Sequence, residues 1–200
     1  HLYPKHGMLI QNFGIGHSQF IWDLRTNKKI TNIFSKIWDC QDKDLLTSFD
    51  AASFHLPSEV TNIGWHKNDW YHTDQSFTRN NLECIQSWVT GFDVNKGDAT
   101  LGFLEKSHKY HESFKFDNMI IDKSDWYKLN QKETEYFYNK GCIERKIYCP
   151  KGSLVLWDSR TIHCGVGPLK ERKNKNFRCV VYLCYTPKKL ASKKSIEKKI

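Results

Sequence analysis

The sequence predicts a mainly β chain with flanking α-helices, closed as a β-sandwich or open barrel. Three observations carry this. From about residue 60 onward, apolar runs of strand length recur between turn residues. Only two stretches repeat at helical spacing, one on each side of the first such runs. The last long run, "FRCVVYLCYTP", is hydrophobic on both faces and therefore belongs inside a packed sheet or barrel. Many short strands with peripheral helices fit such architectures.

Taken in order, the elements have local reasons. In "TNKKITNIFSKIWDC", Ile30, Ile33, Phe34, Ile37 and Trp38 share a helical face, and Thr26 or Asn27 can cap its start. That helix packs on the outside of a sheet. "LLTSFDAASFHLP" reads as one or two strands stopped at Pro57. "LECIQSWVTGFDV" and "ATLGFLEKSH" read as strands joined through "NKGDA", which has the Gly and Asp of a tight connection. "SDWYKLNQKETEYFYNKG" starts on a Ser cap and stops on Gly, which predicts a helix over 125–140 with Trp126, Leu129, Tyr136 and Phe137 on one face. The strands "IERKIYCP", "GSLVLWD" and "FRCVVYLCYTP" follow.

The 200 residues are 39% hydrophobic and include seven Trp, enough for one core. One domain over 1–200 is expected: N-terminal support over 1–60, a catalytic core over 60–187, and a frayed Lys-rich tail over 188–200. No apolar run approaches 18 residues, so no membrane span is expected. No secretory leader pattern is present. The seven cysteines are odd in number and include no C-x-x-C pair. Reduced thiols in an intracellular, cytoplasmic protein are expected. The net charge of +9 invites a nucleic-acid or nucleotide partner. Lysine dominates it, however, part of it sits in "KKLASKKSIEKKI", and no nucleic-acid-binding motif accompanies it.

The chemistry starts at "WYHTDQSF", residues 70–77. Aromatic neighbours suggest a strand, and residues two apart on a strand share a face, so His72 and Asp74 converge. In "GSLVLWDSRTIHCGVGP", an apolar strand delivers Asp158, Arg160 and His163 before a Gly-rich loop. His163 can supply a third ligand from another strand. Two His and one carboxylate leave three positions open on a metal, the facial triad of non-haem Fe(II) oxygenases. A co-substrate can take two of these positions and O2 the third. Arg178, fifteen residues beyond His163, can hold a distal carboxylate through paired hydrogen bonds.

The ordered set "WYHTDQ", "CIQSWVTGFDVNKGDATLGFLEKSHKYH", "CPKGSLVLWDSRTIHCG" and "FRCVVYLCY" resembles the phytanoyl-CoA dioxygenase-like group of Fe(II)/2-oxoglutarate-dependent oxygenases, over roughly residues 60–187. The resemblance implies a double-stranded β-helix, a cupin-like jelly roll. It implies that His72, Asp74 and His163 bind Fe(II) and that Arg178 holds the far carboxylate of 2-oxoglutarate. Gln86 and Trp88 are candidates to touch the co-substrate. The chain departs from the family in two places. The His-to-Arg spacing is long, so Arg172 in "GPLKERKNKN" is an alternative anchor, and Gly165 stands where many members carry Ser. By the same comparison His108 and His111 form a turn outside the metal site, and His66 belongs to a loop beside the pocket.

The implied activity is a dioxygenase that oxidatively decarboxylates 2-oxoglutarate and hydroxylates, or oxidatively demethylates, a small-molecule substrate. Trp70, Phe77 and Arg79 are expected to rim the pocket, and the basic loop "KERKNKN" favours an anionic substrate. Two rivals belong to other classes. A non-oxidative cupin-like metal protein leaves Arg178 unexplained. A basic nucleic-acid-binding or nucleotide-acting protein would ignore chelators and bind with strong salt dependence.

Overall fold

The N-terminal helices form because their apolar residues recur every three or four positions, and an Asn27 cap starts the longer of the two. The computed structural model describes residues 9–61 and 70–197. In chain order its elements are α1 (Gln19–Arg25), α2 (Lys28–Trp38), β1 (Leu45–Thr47), β2 (Ala52–His55), α3 (Ser58–Thr61), β3 (His72–Thr73), β4 (Ile85–Thr90) and β5 (Thr100–Glu105). Then come α4 (His111–Asp117), β6 (Tyr127–Lys128), α5 (Gln131–Asn139), β7 (Ile143–Lys146), β8 (Leu154–Asp158), β9 (His163–Val166), β10 (Arg178–Pro187) and α6 (Lys193–Glu197).

The Asn27 side chain accepts from the Lys29 N–H at the start of α2, and the helix buries Ile30, Phe34 and Trp38. With Ile21 these cover Val181, Leu183 and Tyr185 on the outer face of β10. The Trp38 indole donates to the Tyr185 carbonyl (2.8 Å), and the Tyr185 hydroxyl donates to the Arg25 carbonyl (2.8 Å). The polar ends of two large buried rings are thereby satisfied.

The strands make two antiparallel sheets. In the first, β10 pairs with β1 and β2 along one edge and with β4 along the other, and β8 lies beyond β4. The second runs β6-β3-β9-β5-β7. The chain passes between sheets at each step from β3 to β4 to β5, and again from β8 to β9 to β10. Strand alternation then sorts the side chains. Ile85 and Val89 of β4 join the α1–α2 cluster, while Trp88 turns inward to meet Val180 of β10 and Leu101 of β5. On the second sheet, Leu104 and Cys164 face outward onto Phe114 of α4 and Phe137 of α5. Helices thus cover both outer faces, and the space between the sheets is left for a cavity.

Four expectations are corrected. The helix expected over 125–140 begins only at Gln131. Asn130 and Glu133 form a reciprocal capping box that fixes the start there, which leaves Tyr127 and Lys128 to pair with β3. β4 and β5 are not a hairpin, because "NKGDA" carries the chain from one sheet to the other. His163 does not end the "GSLVLWD" strand but opens β9 in the opposite sheet. The Lys-rich tail contains the short helix α6. All seven cysteines are thiols. No helix among the described residues is long and apolar enough to cross a membrane.

Gly102 lets β9 lie close against β5, since a Cβ there would sit 2.6 Å from Cγ2 of Val166. Gly102→Ala should destabilise the fold by about 1–3 kcal/mol through overpacking. Urea unfolding checks this, and an unchanged midpoint would mean that Val166 yields without cost.

Candidate metal centre

His72 and His163 face each other directly across the β3–β9 pair. Both are buried, and their ring centroids are 4.3 Å apart. β3 is only two residues long, so Asp74 does not lie on a strand with His72, as the sequence suggested. It sits in the bend that follows. The Asp74 N–H donates to the Ser159 carbonyl (3.1 Å), and the Thr73 hydroxyl donates to the same carbonyl (2.9 Å). The bend, not strand alternation, aims the carboxylate at the two imidazoles.

The three side chains form a group able to hold a metal ion, with ligand atoms all within 4.8 Å of one another. Asp74 Oδ1 is 3.6 Å from His72 Nε2, and Oδ2 is 3.3 Å from His163 Nε2. Metal bonds of ~2.1 Å place adjacent octahedral ligands ~3.0 Å apart, so small movements suffice to close on an ion. The tautomers also suit a metal. His72 Nδ1 donates to the Trp70 carbonyl (3.1 Å) and His163 Nδ1 to the Thr161 carbonyl (2.8 Å). Each Nε2 is left facing the carboxylate.

Burial first, then the neighbouring His163, pushes the His72 pKa down to about 4 against the pull of Asp74, so the ring is neutral near pH 7. Burial alone would raise the Asp74 carboxyl. Hydrogen bonding and charge from His163, with help from His72 and Gln86, outweigh it and hold the carboxyl at about 2. Two imidazoles and a carboxylate are the donor set that Fe(II) takes.

A cavity of about 1090 Å³ opens on this group. His72, Asp74, Gln86, Trp88, His163, Arg178 and Trp70 all line it. Gln86 donates to Asp74 Oδ2 (2.8 Å), so its amide steadies the carboxylate. Trp88 is fully buried beneath the Arg178 guanidinium, 5.7 Å from ring to cation. Arg178 is buried, donates weakly to the Ala99 carbonyl (3.4 Å), and has no carboxylate partner among the described residues. Arg172 is the opposite case. It forks onto Glu59 through two 2.8 Å bonds and also reaches Asp98 (3.0 Å). It pins its loop to α3 and is committed before any ligand arrives. Trp70 stacks on His72 (4.6 Å, 9°) and donates to the Gly165 carbonyl (3.0 Å).

Two expected rim residues lie elsewhere. Phe77 is buried in the outer cluster of the second sheet, against His111, Phe114 and Tyr127, because the bend after Asp74 turns it away from the cavity. Arg79 pairs with Glu83 (2.6 Å) and Asp125 on the surface, and only Asp125 of that trio lines the cavity. His111 is outside the metal site and donates to the Gln75 carbonyl (3.1 Å). His66 falls outside the described residues. Sequence reasoning missed Trp157, whose ring is 5.6 Å from His163, and Trp126, 5.7 Å from His72. Alternation along β8 could have found Trp157, but only the pairing of β6 with β3 brings Trp126 here.

No family model matches the chain. It is 26% identical to the Ava biosynthesis cluster protein O of Aspergillus versicolor over 195 residues, covering 94% of this chain and 60% of the relative. Among solved structures it resembles SnoK, a non-haem α-ketoglutarate-dependent carbocyclase from nogalamycin biosynthesis. The TM-score is 0.58 at 11% identity, over 84% of this chain and 59% of SnoK. It also resembles the epimerase SnoN in complex with Fe3+, α-ketoglutarate and nogalamycin RO, with a TM-score of 0.52 at 14% identity over 85% and 59% of the two chains. The chain spans about 60% of the length of these relatives. The structural likenesses establish a fold shared with non-haem α-ketoglutarate-dependent enzymes.

Two predictions follow from this geometry. Gln86→Leu should lower Co(II) or Mn(II) affinity roughly 10–100-fold, as loss of a ligand's hydrogen-bond partner does. A metal titration reads this, and unchanged affinity would leave Asp74 to the backbone tie at Ser159 alone. Hydrogen bonding from Arg172 holds the Glu59 carboxyl at about 2, below its ordinary 4.5. Its folded pKa is depressed, so its stabilisation is complete above 4.5 and fades as pH falls toward 2. Glu59→Gln should flatten that acid limb in pH-dependent unfolding.

Proposed function

We propose that this chain is an Fe(II)- and 2-oxoglutarate-dependent dioxygenase of the phytanoyl-CoA dioxygenase-like type, folded as a double-stranded β-helix, that hydroxylates or oxidatively demethylates a small molecule. The observation that carries the reading is Arg178. A buried guanidinium without a carboxylate partner among the described residues lines the same cavity as the His72–Asp74–His163 group. Leaving such a cation unpaired is costly, and a ligand carboxylate removes the cost. A non-oxidative metal site has no use for it.

His72, Asp74 and His163 would hold the iron on one face, and Arg178 over Trp88 would hold the far carboxylate of 2-oxoglutarate. Bound there, the metal and 2-oxoglutarate would supply, with O2, the two-electron oxidation of a substrate C–H bond, with succinate and CO2 as the co-products. The protein's own residues do the rest. The backbone ties at Trp70 and Thr161 fix the imidazole orientations, Gln86 fixes the carboxylate, and the surrounding indoles limit water.

The cavity supports a neutral, ring-bearing substrate over the anionic one expected from the basic loop "KERKNKN". Its aromatic wall includes Phe49, Trp70, Trp126 and Trp157. Among the described residues, beyond the metal group and Arg178, its ordinarily charged residues are Asp50, Asp125 and Lys128. None of the basic residues of "KERKNKN" lines it.

Anaerobic addition of Fe(II) and 2-oxoglutarate should produce a visible charge-transfer band; folded protein without the band would overturn the reading. His72→Ala and Asp74→Ala should abolish substrate-stimulated succinate release. Arg178→Ala should weaken 2-oxoglutarate binding roughly 10–100-fold, the usual worth of hydrogen bonds to a charged group. Calorimetric titration measures it, and an unchanged affinity would place the anchor elsewhere.

A further inference from the structure

Cys84 and Cys184 have no part in the metal centre, yet both line the cavity. Cys184 lies on the inward face of β10, opposite Gln86 of β4. Cys84, two residues before Gln86, falls on the same face and diagonally across from it. Their Sγ atoms are 3.4 Å apart, in direct contact. Both backbones are held where they are. The Cys84 carbonyl accepts from the Ser159 N–H (3.1 Å) and hydroxyl (2.8 Å), and the Cys184 carbonyl accepts from the Ser48 N–H (2.9 Å). The contact is also polarised. Hydrogen bonding from Cys184, against burial and aided by Ser159, draws the Cys84 thiol below its ordinary pKa. The thiolate form of Cys84 is thereby favoured.

We propose that Cys84 and Cys184 form a redox-modification site in the cavity wall, where a hydroperoxide converts the two thiols into an intramolecular disulfide. The Cys84 thiolate attacks the peroxide, the O–O bond breaks, and Cys84 becomes a sulfenic acid while the peroxide leaves as an alcohol or water. The Cys184 thiol then displaces that hydroxyl as water, forming the S–S bond. The peroxide takes up the two electrons that the dithiol loses. The sulfurs close from 3.4 Å to the ~2.05 Å of a disulfide. The bond ties β10 to the segment entering Gln86, which holds Asp74, so it sits one residue pair from the metal ligands. The site stands on the thiols alone and does not depend on the proposed oxygenase activity.

The test uses the full chain, reduced, with a chelator present so that no iron reacts with the oxidant. Hydrogen peroxide is added in small excess, and the protein is then denatured, alkylated and mapped by mass spectrometry. The expected result is loss of two of the seven alkylatable thiols and a Cys84–Cys184 linked peptide lighter by two hydrogens, both reversed by dithiothreitol. In Cys184→Ser the oxidation should stop at a Cys84 sulfenic acid that dimedone captures. Seven thiols remaining, a link between other cysteines, or a Cys84 sulfinic acid without a link would each overturn the proposal. The wild-type map decides the matter even where the variant does not fold.

Discussion

The carbonyl of Ser159 is the point on which the candidate metal centre depends. It accepts from the Asp74 N–H and the Thr73 hydroxyl, joining the bend after β3 to the turn between β8 and β9. That turn leads directly into His163, so one oxygen fixes the relation between the two ends of the site. Around it, buried Gln75 donates to the carbonyls of Arg79 (2.8 Å) and Asn81 (2.7 Å), and the Ser159 hydroxyl donates to the Gln75 side chain (3.2 Å). Arg160, locked onto Asp158, reaches the Asn80 carbonyl (2.7 Å). Loop backbone that would otherwise lie buried and unpaired is satisfied by these side chains, at the place where the ligands must hold still.

The layers around this point explain why a cavity exists. Helices α1 and α2 bury the outer face of one sheet, and α4 and α5 that of the other. Apolar burial is thus largely complete on the outsides, and only a small cluster around Trp88, Val94, Leu101 and Val180 fills the interior. The rest of the inner face carries His, Asp, Gln, Arg and Trp side chains. A polar, partly open interior is tolerated because stability is supplied elsewhere.

The two arginines near the end of the chain show how one residue type serves two purposes. Arg172 is saturated by Glu59 and Asp98, and its loop is held by it. Arg178, six residues later, opens β10 facing inward and meets an aromatic face in place of an acid. Guanidinium chemistry is the same in both; the acids within reach differ. Only coordinates distinguish an arginine saturated by acids from one that meets none among the described residues.

The sequence by itself determined the central place of β10 and the Ile30–Phe34–Trp38 stripe of α2, although Ile33 and Ile37, expected on the same face, are exposed. The candidate residues His72, Asp74, His163 and Arg178, which line one cavity, were legible as residue types because a motif fixes composition and order. The periodicities of 3.6 and 2 are local, and local signals survive in a sequence. Tertiary structure decided the remainder. It put Asp74 in a bend instead of a strand, turned Phe77 into the outer core, and spent Arg79 on Glu83 and Asp125. It also brought Trp126 to His72 and Cys84 to Cys184. Each of these depends on which strand lies beside which, and pairing partners far apart in the chain are chosen by the burial of whole faces, a property that no short stretch of sequence contains.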